Sequence, residues 1–207
     1  MDKIQLRTQF YDEFVANLQQ ILATPTDQVQ NNYLDLGQVK QIKREELAQV
    51  PDLPRNDPLE IVFELLSAEI QKEHLQKVSL GFNEYFKSYL RKINEENAET
   101  LTHQYFQKTV CLFRKILAIN FCFIQEIWLY LCSCFKTIGL FLLEQNLIQG
   151  SLLYWDYIAK IGNIAARHSL HTQQLQRSMR ILEVQAKEDG YEELAATLNS
   201  LRIHLEN

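Results

Sequence analysis

The sequence predicts an all-α protein: an antiparallel helical bundle or a short α-superhelical array with an irregular N-terminal arm. Three observations carry that prediction. The 207 residues include only 6 Gly and 4 Pro, against a usual share of roughly 7% and 5%. All four prolines (Pro25, Pro51, Pro54 and Pro58) fall within the first 58 positions, so no proline interrupts a helix after that. Apolar residues then recur at steps of three and four, which places them along one helical face. Such a composition disfavours turn-rich β folds and glycine-built phosphate loops.

Residues 3–23 read as a first helix, with Phe10, Phe14, Leu18 and Ile21 on one side. Thr24-Pro25-Thr26-Asp27 stops it. A polar stretch follows to Gly37, then a short helix at 38–49 built on Val39, Ile42 and Leu47. Pro51, Pro54 and Pro58 make the next segment extended, because a residue before proline is pushed out of the α region. Asp57-Pro58 suits a helix start, as N-cap and first helical residue. The arm is therefore 1–57 and the helical body 58–207.

The body opens with helices at 58–77 and 80–94. The second carries Phe82, Tyr85, Phe86, Tyr89, Leu90 and Ile93 in full amphipathic register. Asn97 or Thr100 caps the next helix. From Leu101 to about Gln149 apolar residues occupy every side, the mark of an element buried all round. One helix of that length would run about 72 Å, so a break is expected near Asn120 or between Ser133 and Gly139. The region 109–155 is either the central core or a subunit interface. Its longest uncharged run, Gln145 to Trp155, is eleven residues, against roughly 20 for a membrane span. It reads as a core helix and not as a bilayer segment.

Three further helices follow, with stripes Tyr154/Ile158/Ile161/Ala165, Leu175/Met179/Leu182/Ala186 and Leu194/Leu198/Leu201/Leu205. Connectors at His168–Thr172 and Asp189-Gly190 separate them, and Gly190 is a natural C-cap glycine. Ile138-Gly139 is followed by Leu147, Ile161-Gly162 by Leu170, and Ile181-Leu182 by Tyr191. A unit of about 20–23 residues, paired to about 43, falls in the HEAT range. On these residues, 133–207 resembles a HEAT- or TPR-type helical-repeat array. It lacks the Trp-x-x-Leu-Gly-x-x-Tyr signature of the true tetratricopeptide. An antiparallel bundle of equal helices gives the same period.

Composition also bounds function. The net charge is −5, and the largest basic cluster, Lys40, Lys43 and Arg44, runs straight into Glu45 and Glu46. Nucleic-acid affinity rests on phosphate neutralisation, so no nucleic-acid partner is expected. The first 58 residues, six basic against nine acidic, make a poor helix-turn-helix. Cys111, Cys122, Cys132 and Cys134 lie in apolar sequence without a Cys-x-x-Cys pair and read as buried thiols. They fit a cytoplasmic protein, either free or as the soluble part of a membrane-associated one. The N-terminus lacks a signal-peptide run.

The catalytic signatures of nucleotide, hydrolase and metalloprotease sites do not occur. Glu99/His103 and Glu69/His74 have the wrong spacing for a di-iron bundle. His168 and His171 suit a helix C-terminus better than a metal. The pairs Glu60/Glu64 and Glu69/Glu73 read as solvated faces. No enzyme activity, metal or cofactor is expected. The leading expectation is a non-catalytic protein–protein interaction or scaffold module, with self-association through 109–155 and Trp128, Tyr154 and Trp155 as partner-facing anchors. The alternative is a helical sensor or carrier whose aromatic pocket uses Phe82, Tyr85, Tyr89 and Tyr105.

Overall fold

The computed structural model describes residues 3–23, 58–118 and 123–206. The expected helix at 38–49 and the Asp57 cap lie outside them. The described residues form seven helices and no strand: α1 Lys3–Ala23, α2 Pro58–Lys92, α3 Ala98–Ala118, α4 Ile124–Glu144, α5 Ile148–Arg167, α6 Gln173–Glu188 and α7 Glu192–Glu206. The protein is an all-α helical bundle.

One boundary corrects the expectations from sequence and another chooses between two of them. Residues 58–77 and 80–94 are one continuous helix, α2. The intervening Val78-Ser79-Leu80 has no breaker, and Gly81 costs an interior helix only about 1 kcal/mol. Gly81 also makes room for α1, since a Cβ there would lie 3.1 Å from Leu22 Cδ1. In the long apolar region the break falls at the first of the two expected places. α3 ends at Ala118 and α4 begins at Ile124, whereas Ser133–Gly139 lies inside α4. Of the two expected caps, Asn97 stands directly before α3 and Thr100 lies inside it, but the Asn97 side chain turns back to brace the preceding turn. Asn94 and Asn97 exchange backbone-to-side-chain bonds of 2.8 and 3.1 Å, and Asn97 Nδ2 donates to the Lys92 carbonyl at 2.9 Å.

The recurring spacing in 133–207 is the spacing of helix ends. α4, α5 and α6 each close with an amide bonding back five residues: Leu147 to Leu142 O, Leu170 to Ala165 O and Tyr191 to Ala186 O, at 2.8–3.0 Å. Each closure needs one left-handed residue before the apolar one. These are Asn146 (φ 56°), Ser169 (φ 59°) and Gly190 (φ 83°). In α6 the matching core residue is Leu182, because Ile181 is exposed. Glycine carries no Cβ penalty at such a site, whereas an L-residue costs roughly 1–2 kcal/mol. Ser169→Gly is therefore expected to raise stability by about 0.5–1 kcal/mol in urea unfolding; a loss would contradict this account of the turn.

The helices pair as α2 with α3, α4 with α5, and α6 with α7. Like members of these pairs also pack on one another, α2 on α4 on α6 and α3 on α5 on α7. Within each row the helices run the same way. Trp128 Nε1 donates to the His171 carbonyl at 2.7 Å, and Gly139 meets Leu182 further along the same two helices. α1 packs on α2, also in parallel, and extends the first row. Its first half places Tyr11 against Gln71 and Asp12 against His74, and its last turn meets Gly81. Buried His74 places Nδ1 2.6 Å from the Ile70 carbonyl oxygen and Nε2 2.8 Å from Asp12 Oδ1.

Three glycines set how closely the helices approach. A Cβ at Gly139 would lie 2.4 Å from Trp155 Cζ2, and one at Gly162 would lie 2.8 Å from Leu175 Cδ2 and 2.9 Å from Leu205 Cδ2. One at Gly150 would lie 3.0 Å from the Ala98 methyl. The region 109–155 is chiefly core: Leu112, Phe113, Ile116, Leu131, Phe135, Ile138 and Leu142 are all buried. α4 keeps one face in solvent, along Leu129, Ser133 and Thr137.

Candidate functional site

The aromatic residues of α2 and α3 form packed core. Phe82, Tyr85, Tyr89 and Tyr105 are all buried, none more than 5% exposed. The Tyr85 and Tyr105 rings stack at 4.7 Å, and Tyr89 meets Phe106 edge to face at 5.3 Å. Their hydroxyls are used inside the fold. Tyr85 donates to the Tyr105 carbonyl at 2.8 Å, Tyr89 pairs with Thr102 Oγ1 at 2.7 Å, and Tyr105 pairs with Ser88 Oγ at 3.1 Å. Burial pushes the Tyr89 hydroxyl well above its usual pKa.

Trp128, Tyr154 and Trp155 do not face outward. All three are 0% exposed, because each points from its helix toward the neighbouring row. Tyr154 donates to the Phe135 carbonyl at 2.7 Å. Trp155 lies over Gly139, and its Nε1 has no hydrogen-bond partner among the described residues.

The surface candidate lies between α2 and α4. A hollow of about 480 Å³ is lined by Gln76, Ser79, Leu80, Asn83 and Tyr130. Gln76, Leu80 and Asn83 fall at i, i+4 and i+7, one stripe of α2. Leu80 is 62% exposed, and Leu129, beside Tyr130, is 40% exposed. Among the described residues the lining has no charged side chain. Its amides and hydroxyls can both donate and accept hydrogen bonds. Partial burial, with Cys134 alongside, raises the Tyr130 hydroxyl above its usual pKa, so it is a neutral donor at physiological pH. A smaller hollow, about 220 Å³, lies where the α2–α3 and α4–α5 turns meet, lined by Glu95, Ala98 and residues 146–150.

Sequence reasoning missed Lys108. Its side chain is buried, with Nζ 4.8 Å from the Tyr85 ring centroid. Withdrawal from water lowers its pKa to about 8. A signal existed, since Lys108 lies three residues after Tyr105 and four before Leu112, on the buried stripe. His103 was weighed only for metal spacing. It accepts or donates at 2.6 Å to the Tyr157 hydroxyl. Among the described residues no group of three or more His, Cys, Asp or Glu is placed to hold a metal.

The fold and these surfaces define a class, an all-α protein of packed helix pairs with an uncharged hollow on one row. Comparison with protein-family models, curated proteins and solved structures finds no match for the chain.

Proposed function

We propose that this chain is a non-catalytic interaction or scaffold module of helical-repeat type, which binds a protein partner across the α2–α4 face. The observation that carries the reading is the packing order. Three hairpins stack with like helices side by side, the arrangement by which repeat arrays generate extended binding surfaces. The outer side of α6 is mixed, polar at Gln174, Arg177 and Glu188 but with Ile181 and Val184 about half exposed, so it presents further apolar surface at this end of the stack. Exposed Leu80 and Leu129 beside an uncharged hollow supply the apolar anchor that such a surface needs.

The internal packing of the aromatic set weighs against the sensor or carrier alternative. α4 is long and apolar enough to cross a membrane by length and composition. Its burial against α2, α5 and α6 supports a core role instead. The unpaired thiols of Cys111, Cys132 and Cys134 support a reducing, cytoplasmic setting.

The test is capture from native lysate with the full chain as bait, beside the double variant Leu80→Glu/Leu129→Glu. Both residues are exposed, so the variant should keep its helical signal and melt within about 1 kcal/mol of wild type. Partner recovery is expected to fall at least about tenfold, as for loss of an apolar hot spot. Unchanged recovery would remove this face from consideration.

A further inference from the structure

Parallel rows have an electrostatic consequence. The α2–α3, α4–α5 and α6–α7 connections all lie at one end of the helices, and the α3–α4 and α5–α6 connections at the other. The first end is acidic. Glu95, Glu144, Glu188, Asp189, Glu192 and Glu193 are all exposed there, opposed by Arg91, Lys92 and Lys187. The second end is basic on α3 to α7. Exposed Arg114, Arg167 and Arg177 lie there, against Glu126 and the last residue of α7, Glu206; α2 runs on past this end and adds exposed Glu69 and Glu73 with Lys72 and Lys77.

Helix dipoles account for part of this pattern only. They favour Glu192 and Glu193 in the first turn of α7 and Arg167 in the last turn of α5. They disfavour Glu144 at the C-terminus of α4, and Glu188 and Asp189 at that of α6. Those three charges oppose local helix stability, yet they match the sign of the end they occupy. The hollow beside Glu95, about 220 Å³, opens on the same acidic end and has room for a basic side chain.

We infer that the acidic end docks the basic end of a second copy of this chain, in a head-to-tail contact driven by charge. The inference rests on the interaction-module reading and gives it a partner. Because the two surfaces sit at opposite ends, the contact is heterologous and leaves a free end of each sign. Arg114, Arg167 and Arg177 of one copy meet Glu144, Glu188 and Asp189 of the next. Such contacts are screened beyond about 10 Å at 0.1 M salt, so the association is strong only at low ionic strength.

The experiment is sedimentation of the full chain at about 100 µM in roughly 20 mM and 500 mM salt, bracketing strong and weak screening. Wild type should show about a twofold or greater average mass at low salt and the chain mass at high salt. Glu144→Lys/Glu188→Lys removes the excess negative charge of the first end, and Arg167→Glu/Arg177→Glu turns the second end acidic. The first pair places cations at helix C-termini, so folding is not at risk. Each variant alone should be monomeric at low salt, and an equimolar mixture should regain the doubled mass. A monomeric wild type at low salt overturns the inference, as does a mixture that fails to assemble. Polylysine binding to a monomeric wild type, lost in Glu144→Lys/Glu188→Lys, would also overturn it, in favour of a basic partner of another kind. None of these results depends on Leu80 or Leu129, so this inference and the α2–α4 face fail separately.

Discussion

Replacing Gly139 by alanine is expected to destabilise the fold by about 2 kcal/mol, although the same change in an exposed helix would add up to about 1 kcal/mol. The reason is the indole of Trp155. The new methyl would sit 2.4 Å from Cζ2 and 3.1 Å from Cε2, with Leu182 Cδ2 at 3.0 Å. A buried indole between two helices cannot swing away, so α4 and α5 must separate. Overpacking of this kind costs about 1–3 kcal/mol. In a chain of this size a loss of about 2 kcal/mol lowers the melting temperature by roughly 4–8 °C.

Gly81→Ala is the control. Its one close neighbour is the flexible end of Leu22, and it should be neutral or mildly stabilising. In Gly139→Ala/Trp155→Phe the smaller ring gives way, so the double variant should lose less than the sum of the two single losses. An equal or raised melting temperature for Gly139→Ala would refute the packing account.

The second large effect depends on pH. Lys108 has a folded pKa of about 8 against a usual 10.5, because burial disfavours its charged form. Below pH 8 the ammonium is charged in both states, and the folded state carries the full cost of withdrawing it from water. Between about pH 8 and 10.5 the unfolded chain binds more protons than the folded one, so this group adds stability as pH rises. The full span is on the order of 3 kcal/mol at about 1.4 kcal/mol per pKa unit. Lys108→Met is free of that cost, so its stability relative to wild type, net of the contacts the ammonium makes, should be highest at pH 7. It should fall steadily toward pH 10. The buried hydroxyls of Tyr89 and Tyr154 and the thiol of Cys132 are pushed up instead. They cost stability at high pH in both proteins and cancel in the difference. A difference that stays flat from pH 7 to 10 would contradict the assignment.

Much of the fold was legible because helices advertise themselves over short spans. The stripes Leu175/Met179/Leu182/Ala186 and Tyr154/Ile158/Ile161/Ala165 are buried as their spacing requires, and Gly190 takes the left-handed turn expected of it. The candidate site was far less legible. Tyr and Trp are common both in cores and at interfaces, and residue type alone does not separate the two. Trp128, Tyr154 and Trp155 proved to be core because neighbours some 16–43 positions away close over them: Gly139 for Trp155, Phe135 for Tyr154 and His171 for Trp128. Leu80 carried no signal in the opposite direction. It sits in an amphipathic run, and only the position of α4 leaves it exposed.

By itself the sequence determined that the chain is helical, where the body's later helices end, and which stripe each of them buries. Those properties follow from breakers, caps and contacts three or four residues apart. The tertiary structure decided which helices share a row, that α1 runs parallel to α2, that Lys108 loses its water, and that charge collects by sign at opposite ends. These depend on packing between residues tens of positions apart. There, a missing Cβ at Gly139 or Gly150 counts for more than any local preference.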